Sequence, residues 1–148
     1  MAILDERTAE QLRTRFSEKL TEPVELRLYT RPGTGRLILP SGYGCATCDD
    51  ARELAEALAE AAPEKVTLEV VDVSQTGEER EVPELTVSAP GQEARISWMG
   101  LPTGFEFATD VDAIERISAA EPGLSERTVE RLEGLTEPVE VMVFATPT

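Results

Sequence analysis

Gly44-Cys45-Ala46-Thr47-Cys48 is the stretch on which the reading of this chain turns. Its two cysteines are the only two in 148 residues, and chance placement rarely sets both three apart. Directly after them Ala51, Leu54, Ala55, Leu58 and Ala62 recur at three- and four-residue intervals up to Pro63, the pattern of an amphipathic helix. A Pro/Gly-rich loop precedes them, and before it Val24-Glu25-Leu26-Arg27-Leu28-Tyr29 alternates apolar and polar residues as a strand does. The cysteine pair is therefore predicted to open a helix that follows a strand.

That placement has chemical consequences, because free backbone N–H groups and the positive end of the helix dipole favour a thiolate. Cys45 is the expected exposed nucleophile. Cys48, one turn on and inside, would displace a partner from a mixed disulfide with Cys45 and close the ring. Two other readings stay open on the residues alone. One is half of a zinc site, which needs a second chain or carboxylates, since tetrahedral zinc takes four ligands. The other is a pair of buried, unreactive thiols. Asp49 and Asp50 follow the ordinary preference for acids in a first helical turn. As carboxylates near Cys45 they oppose the thiolate, so a reducing or middling poise is expected rather than the strongly oxidising end at roughly −120 mV.

Composition narrows the alternatives. Fourteen Lys and Arg against 29 Asp and Glu leave a formal charge of −15, which repels phosphate backbones and anionic lipid surfaces, so nucleic acid and membrane are not expected as partners. The absence of His removes Ser/His and Cys/His hydrolases and imidazole metal sites, leaving Cys and carboxylates to do any chemistry. No apolar run approaches the roughly 18 residues of a membrane span, and Met1-Ala2-Ile3-Leu4-Asp5-Glu6 lacks the features of a secretory signal. A cytoplasmic location is the expectation.

Along the chain, Ala9, Leu12, Phe16 and Leu20 mark one face of a helix that begins near Asp5 and stops before Pro23, ahead of the strand at Val24 to Thr30. Residues 32 to 42 form a loop with an apolar centre, in which Leu37 to Leu39 are expected to pack. Val66 to Val73 is strand-like and Ser74 to Glu81 polar loop. Leu85 to Val87 and Ala94 to Trp98, joined by Pro90-Gly91, read as a hairpin, and Phe107, Val111, Ile114 and Ile117 trace a helix ended by Pro122-Gly123. The sum is an α/β unit, a mixed sheet of about four strands flanked by helices.

A repeat sets the domain organisation. Leu20-Thr21-Glu22-Pro23-Val24-Glu25 returns unchanged as Leu135-Thr136-Glu137-Pro138-Val139-Glu140, and Glu6-Arg7-Thr8 returns as Glu126-Arg127-Thr128. Self-similarity of this period implies a tandem copy of a whole domain. The division expected is one unit over residues 1–120 and, over 121–148, a linker, a helix and the first strand of an incomplete second. An unpaired apolar strand at Val141 to Phe144 should dock on the first unit, pair with another chain in self-association, or stay poorly ordered.

Taken together, the cysteines, hairpin and repeat resemble the glutaredoxin-like protein disulfide oxidoreductases, in which two thioredoxin-fold units lie in tandem. The most specific segments are Trp98-Met99-Gly100-Leu101-Pro102-Thr103-Gly104-Phe105-Glu106-Phe107 and Val143-Phe144-Ala145-Thr146-Pro147-Thr148. In that family a strand ending in Thr-Pro-Thr is followed at once by a second Cys-x-x-Cys, which this sequence stops short of. The resemblance implies a thioredoxin-like (glutaredoxin-like) fold, with Cys45 and Cys48 as the dithiol. It also implies that Pro83 is the cis-proline facing them and that Val82 offers backbone hydrogen bonds to a substrate chain. It implies protein disulfide substrates, an upstream thiol or thioredoxin-reductase-like electron donor, and neither metal nor organic cofactor. The loop at 32–42, the reduced segment before Pro83 and the Ala46-Thr47 dipeptide depart from the family's pattern. Two rival functions are a non-catalytic substrate-binding or scaffold unit and a metal-binding module bridging two chains.

Overall fold

Asp5 accepts a hydrogen bond from the Thr8 amide at 2.8 Å and so caps helix α1 (Glu6–Lys19), whose inward stripe buries Leu12 and Phe16. The structure is a computed structural model that describes residues 2–33 and 44–146. After α1 come strand β1 (Val24–Thr30), helix α2 (Cys48–Glu60), strand β2 (Val66–Asp72) and the single turn α3 (Val73–Thr76). Strands β3 (Glu84–Ser88) and β4 (Ile96–Met99) and helices α4 (Phe105–Ala119) and α5 (Glu126–Glu133) follow.

The four strands form one mixed sheet in the order β2-β1-β3-β4. β1 runs parallel to β2, with Val24 opposite Val66 and Thr30 opposite Asp72. β3 returns antiparallel to β1 with Leu28 opposite Leu85, and β4 pairs antiparallel to β3 with Leu85 opposite Trp98. Alternation on β1 turns Val24, Leu26 and Leu28 to one side, where α2 covers β1 and β2, α4 covers β1 and β3, and α1 leans on α4. Phe16, Leu26, Leu28, Leu58, Val87 and Ile114 are sealed in this core, each contributing about 1.5–3 kcal/mol by leaving water. On the other side Glu25, Arg27 and Tyr29 are half-buried in a row of charges, Arg27 pairing with Glu69 at 2.6 Å and Arg80 stacking 3.7 Å over the Tyr29 ring.

Ser118, wholly buried at the end of α4, holds the corner between α1 and β1. Its hydroxyl accepts from the amides of Thr21 and Glu22 at 2.9 and 3.1 Å and donates to the Glu22 carbonyl at 2.7 Å. The chain's one tryptophan, Trp98, donates its indole N–H to Thr109 on α4 at 3.0 Å, tying the edge strand to that helix.

The four-stranded α/β architecture matches the reading of the sequence, and the departures are local. Asp72 accepts from the Ser74 amide and winds Val73–Thr76 into a turn of helix inside the expected loop. β4 starts two residues later than expected, because Ala94 and Arg95 still belong to the connection from β3. The packing expected of Leu37 to Leu39, with the rest of 34–43, lies outside the described residues. No strand forms at Val141 to Phe144, which are 79, 70, 86 and 91 % exposed, since among the described residues no neighbouring strand supplies the ladder bonds a strand needs. Ser125 caps α5 through the Thr128 amide as Asp5 caps α1 through Thr8, so the repeat extends to cap chemistry. Among the described residues no helix is long and apolar enough to cross a membrane.

Candidate active site

β1 delivers the chain to one end of the sheet, and α2 carries it back from that end. Thr47 is the N-cap of α2 without a side-chain bond, and its carbonyl accepts from the Ala51 amide at 2.9 Å. Cys48 is thus the first helical residue, and Cys45 lies ahead of the helix rather than on it, a correction to the expected start. Cys45 precedes the helix N-terminus by three residues, on the side where free amides and the positive end of the dipole lie, so the electrostatic argument survives the shift. Asp49 and Asp50 stand exposed in that first turn.

The two sulfurs are joined, with S–S 2.07 Å and Cα atoms 5.4 Å apart. Cys48 is 1 % exposed and Cys45 6 %. The expected order of accessibility holds, but Cys45 is not the open thiol the sequence suggested. The bridged Cys45 sulfur lies 3.7 Å from the Val82 carbonyl oxygen. The Val82–Pro83 peptide bond is cis, and Pro83 is buried. The Gly100 amide donates to the Pro83 carbonyl at 2.8 Å, fastening the loop after β4 to the same corner. Cys45, Cys48, Val82 and Pro83, singled out from sequence, are therefore brought together.

Beside them opens a groove of about 710 Å³ bordered by Gly44, Val82, Pro83, Met99, Arg31 and Arg80. Met99 on this rim is 54 % exposed and gives it an apolar component. Among the described residues no group of three or more His, Cys, Asp or Glu is placed to hold a metal ion.

One buried acid escaped the sequence reading. Asp110 on α4 is 0 % exposed, and both of its carboxylate oxygens are buried without a hydrogen-bond partner. Burial first, and then the negative charge of Glu106, push its carboxyl up to about 8. Its spacing was a signal, since Asp110 shares a helical face with Phe107, Val111 and Ile114.

Sheet order, a Cys-x-x-Cys disulfide at the head of a helix and a cis-proline against it define a thioredoxin-like protein. Comparison with known proteins agrees. A protein disulfide oxidoreductase from Aeropyrum pernix superposes with TM-score 0.67 at 28% identity, over 88% of this chain and 55% of that one. The alkylhydroperoxide reductase AhpF from Enterococcus faecalis superposes with TM-score 0.69 at 19% identity, over 89% of this chain and 61% of that one. In sequence, the corresponding alkyl hydroperoxide reductase AhpF from Staphylococcus epidermidis is 29% identical over 100 residues, 68% of this chain. The chain spans 19% of that relative and about half of the Aeropyrum protein. No protein-family profile matches it. The resemblance read from the cysteines and hairpin is thus met by a disulfide oxidoreductase of thioredoxin-like fold, and thiol–disulfide chemistry in general is supported.

Proposed function

We propose that the chain is an oxidoreductase that exchanges disulfides with protein substrates through Cys45 and Cys48. The observation that carries this reading is the closed Cys45–Cys48 bridge with the Cys45 sulfur 3.7 Å from the Val82 carbonyl, at the mouth of an open groove. In the reduced chain the Cys45 thiolate attacks a substrate disulfide. A Cys45–substrate bond forms, and the other substrate sulfur leaves as a thiolate that takes a proton. Cys48 then gives up its proton and attacks the Cys45 sulfur, the ring closes, and the second substrate sulfur leaves and is protonated. The substrate gains two electrons and two protons. A thiol or a thioredoxin-reductase-like donor restores the dithiol. The Val82–Pro83 edge holds the substrate in extended form, with Val82 offering the backbone hydrogen bonds, as in strand addition.

We further propose that residues 1–120 are the working unit and that 121–148 opens a second unit of the same kind. The shared Leu-Thr-Glu-Pro-Val-Glu segment and the matching caps of α1 and α5 support this.

Dithiol-driven reduction of insulin tests the chemistry. Cys45→Ser should fall to the rate of a cysteine-free control, whereas Cys48→Ser should keep the attack and accumulate a mixed disulfide visible without reductant. A wild-type rate equal to that control would overturn the reading and favour a scaffold.

A further inference from the structure

The Val82–Pro83 edge ends a stretch to which regular structure lends little support. β2 passes through the single turn α3 to Gly77, whose φ of 73° turns the chain, and β3 does not begin until Glu84. Among the described residues no backbone–backbone hydrogen bond ties Glu78 through Val82 to the rest of the molecule. The downstream end is fastened, since the Pro83 carbonyl accepts from the Gly100 amide at 2.8 Å and the β3 ladder starts at once. Upstream of Val82 the position of the chain is left to side chains.

Arg80 supplies the hold. Glu78, Glu79 and Glu81 are exposed, while Arg80 among them is half-buried and turned onto the sheet. Its guanidinium carbon lies 3.7 Å from the centre of the Tyr29 ring on β1, its Nη1 donates to Glu84 on β3 at 2.5 Å, and its Nε lies 3.6 Å from a Glu78 oxygen. Tyr29 and Glu84 are register partners, so ring and carboxylate stand side by side on the face of the sheet away from the helices. The Glu84 side chain is 13 % exposed, which shields this pair from water better than an open surface pair. A planar, delocalised cation stacks on a ring by its face and donates from its edge at the same time, and this geometry uses both.

The anchor lies close to the chemistry. Arg80 borders both the groove beside the disulfide and a hollow of about 340 Å³ on the outer face of the sheet. Two residues on, the Val82 carbonyl oxygen is 3.7 Å from the Cys45 sulfur. Extended chain covers at most about 3.6 Å per residue, so an anchored Arg80 leaves Val82 only about 7 Å of tether.

Resting on the exchange reading above, we propose that Arg80 is a positioning residue for disulfide exchange: stacked on Tyr29 and paired with Glu84, it holds the Val82–Pro83 edge against Cys45. It acts through Val82, by raising the fraction of chains whose edge is in place when a substrate arrives. The apparent affinity for substrate scales with that fraction.

Insulin reduction by the full chain tests this. Arg80→Met keeps the length of the side chain and removes the stack and the ion pair. Its KM for insulin should rise roughly fivefold or more, with kcat within about twofold of wild type. Tyr29→Leu should raise KM likewise, and Tyr29→Phe, which keeps the ring, should restore it. Arg80→Met combined with Tyr29→Leu should lose no more than Arg80→Met alone, because one clamp is broken once; additive losses overturn the proposal. Arg116→Met removes a comparable ion pair on α4 and should leave KM in place, and an equal rise there overturns it. A variant Arg80→Met that melts earlier at unchanged KM assigns Arg80 to stability alone and also overturns it. Nitrogen-15 relaxation on the oxidised chain carries the test without activity. Order parameters of Glu79, Glu81 and Val82 should fall from about 0.85 in wild type to below about 0.6 in Arg80→Met, and unchanged values overturn the clamp. If wild type reduces no insulin, the exchange reading falls, and the relaxation measurement still decides on Arg80.

Discussion

At the residue scale, Asp110 makes stability fall as the solution becomes more alkaline. Its folded carboxyl is raised to about 8 and its ordinary value is 3.8, so between those limits the folded chain holds a proton that the unfolded chain has lost. Stability from this group is fully present below the lower limit and drains away toward the upper one, by at most about 1.4 kcal/mol per pH unit. Denaturant melts across that window should show this slope in wild type and lose it in Asp110→Asn. An Asp110→Leu variant should be more stable than wild type near pH 8. Retention of the slope in Asp110→Asn would assign it to other groups. The cysteines were legible in the sequence because their spacing is itself chemistry. Asp110 was not, because an acid among apolar helical positions reads as the polar edge of a stripe until the packing of β1 and β3 shows it sealed.

At the element scale, the corner between α1 and β1 depends on a side chain 97 residues away from Thr21. Ser118→Ala would strand the Thr21 and Glu22 amides and the Glu22 carbonyl, costing about 1–3 kcal/mol. The check is the denaturation midpoint, and an unchanged midpoint would show that water replaces the hydroxyl. Elements with a strong period were readable before the fold was known: β1 was bounded correctly from its alternation, and Leu12, Phe16 and Leu20 marked the buried face of α1. Boundaries set by capping and pairing were not. Asp72 winds α3 inside a polar stretch, β4 begins where Val87 finds Ile96, and Thr47 delays α2 until Cys48. The repeated Leu-Thr-Glu-Pro-Val-Glu shows the same dependence on partners within one chain. The copy at 20–25 turns a latched corner into a strand, and the copy at 135–140, which receives no such latch among the described residues, stays exposed.

At the scale of the whole molecule, the core closes without the last segment. From residue 121 to 146 every residue but Val129 is exposed, and the core cluster draws on none of them. A chain ending at Ala120 should melt within about 1 kcal/mol of the full chain, as expected when exposed groups are removed. It should also associate less, because it lacks the exposed Val139, Val141, Met142, Val143 and Phe144. Calorimetry and light scattering on both chains check this, and a large loss of stability would show that the segment docks. The bond from Trp98 to Thr109 has a use of its own: the sole indole fluorophore is fastened to the residue preceding Asp110. Its emission is a built-in, label-free gauge of how α4 sits on the sheet, readable in real time while the sulfurs open and close.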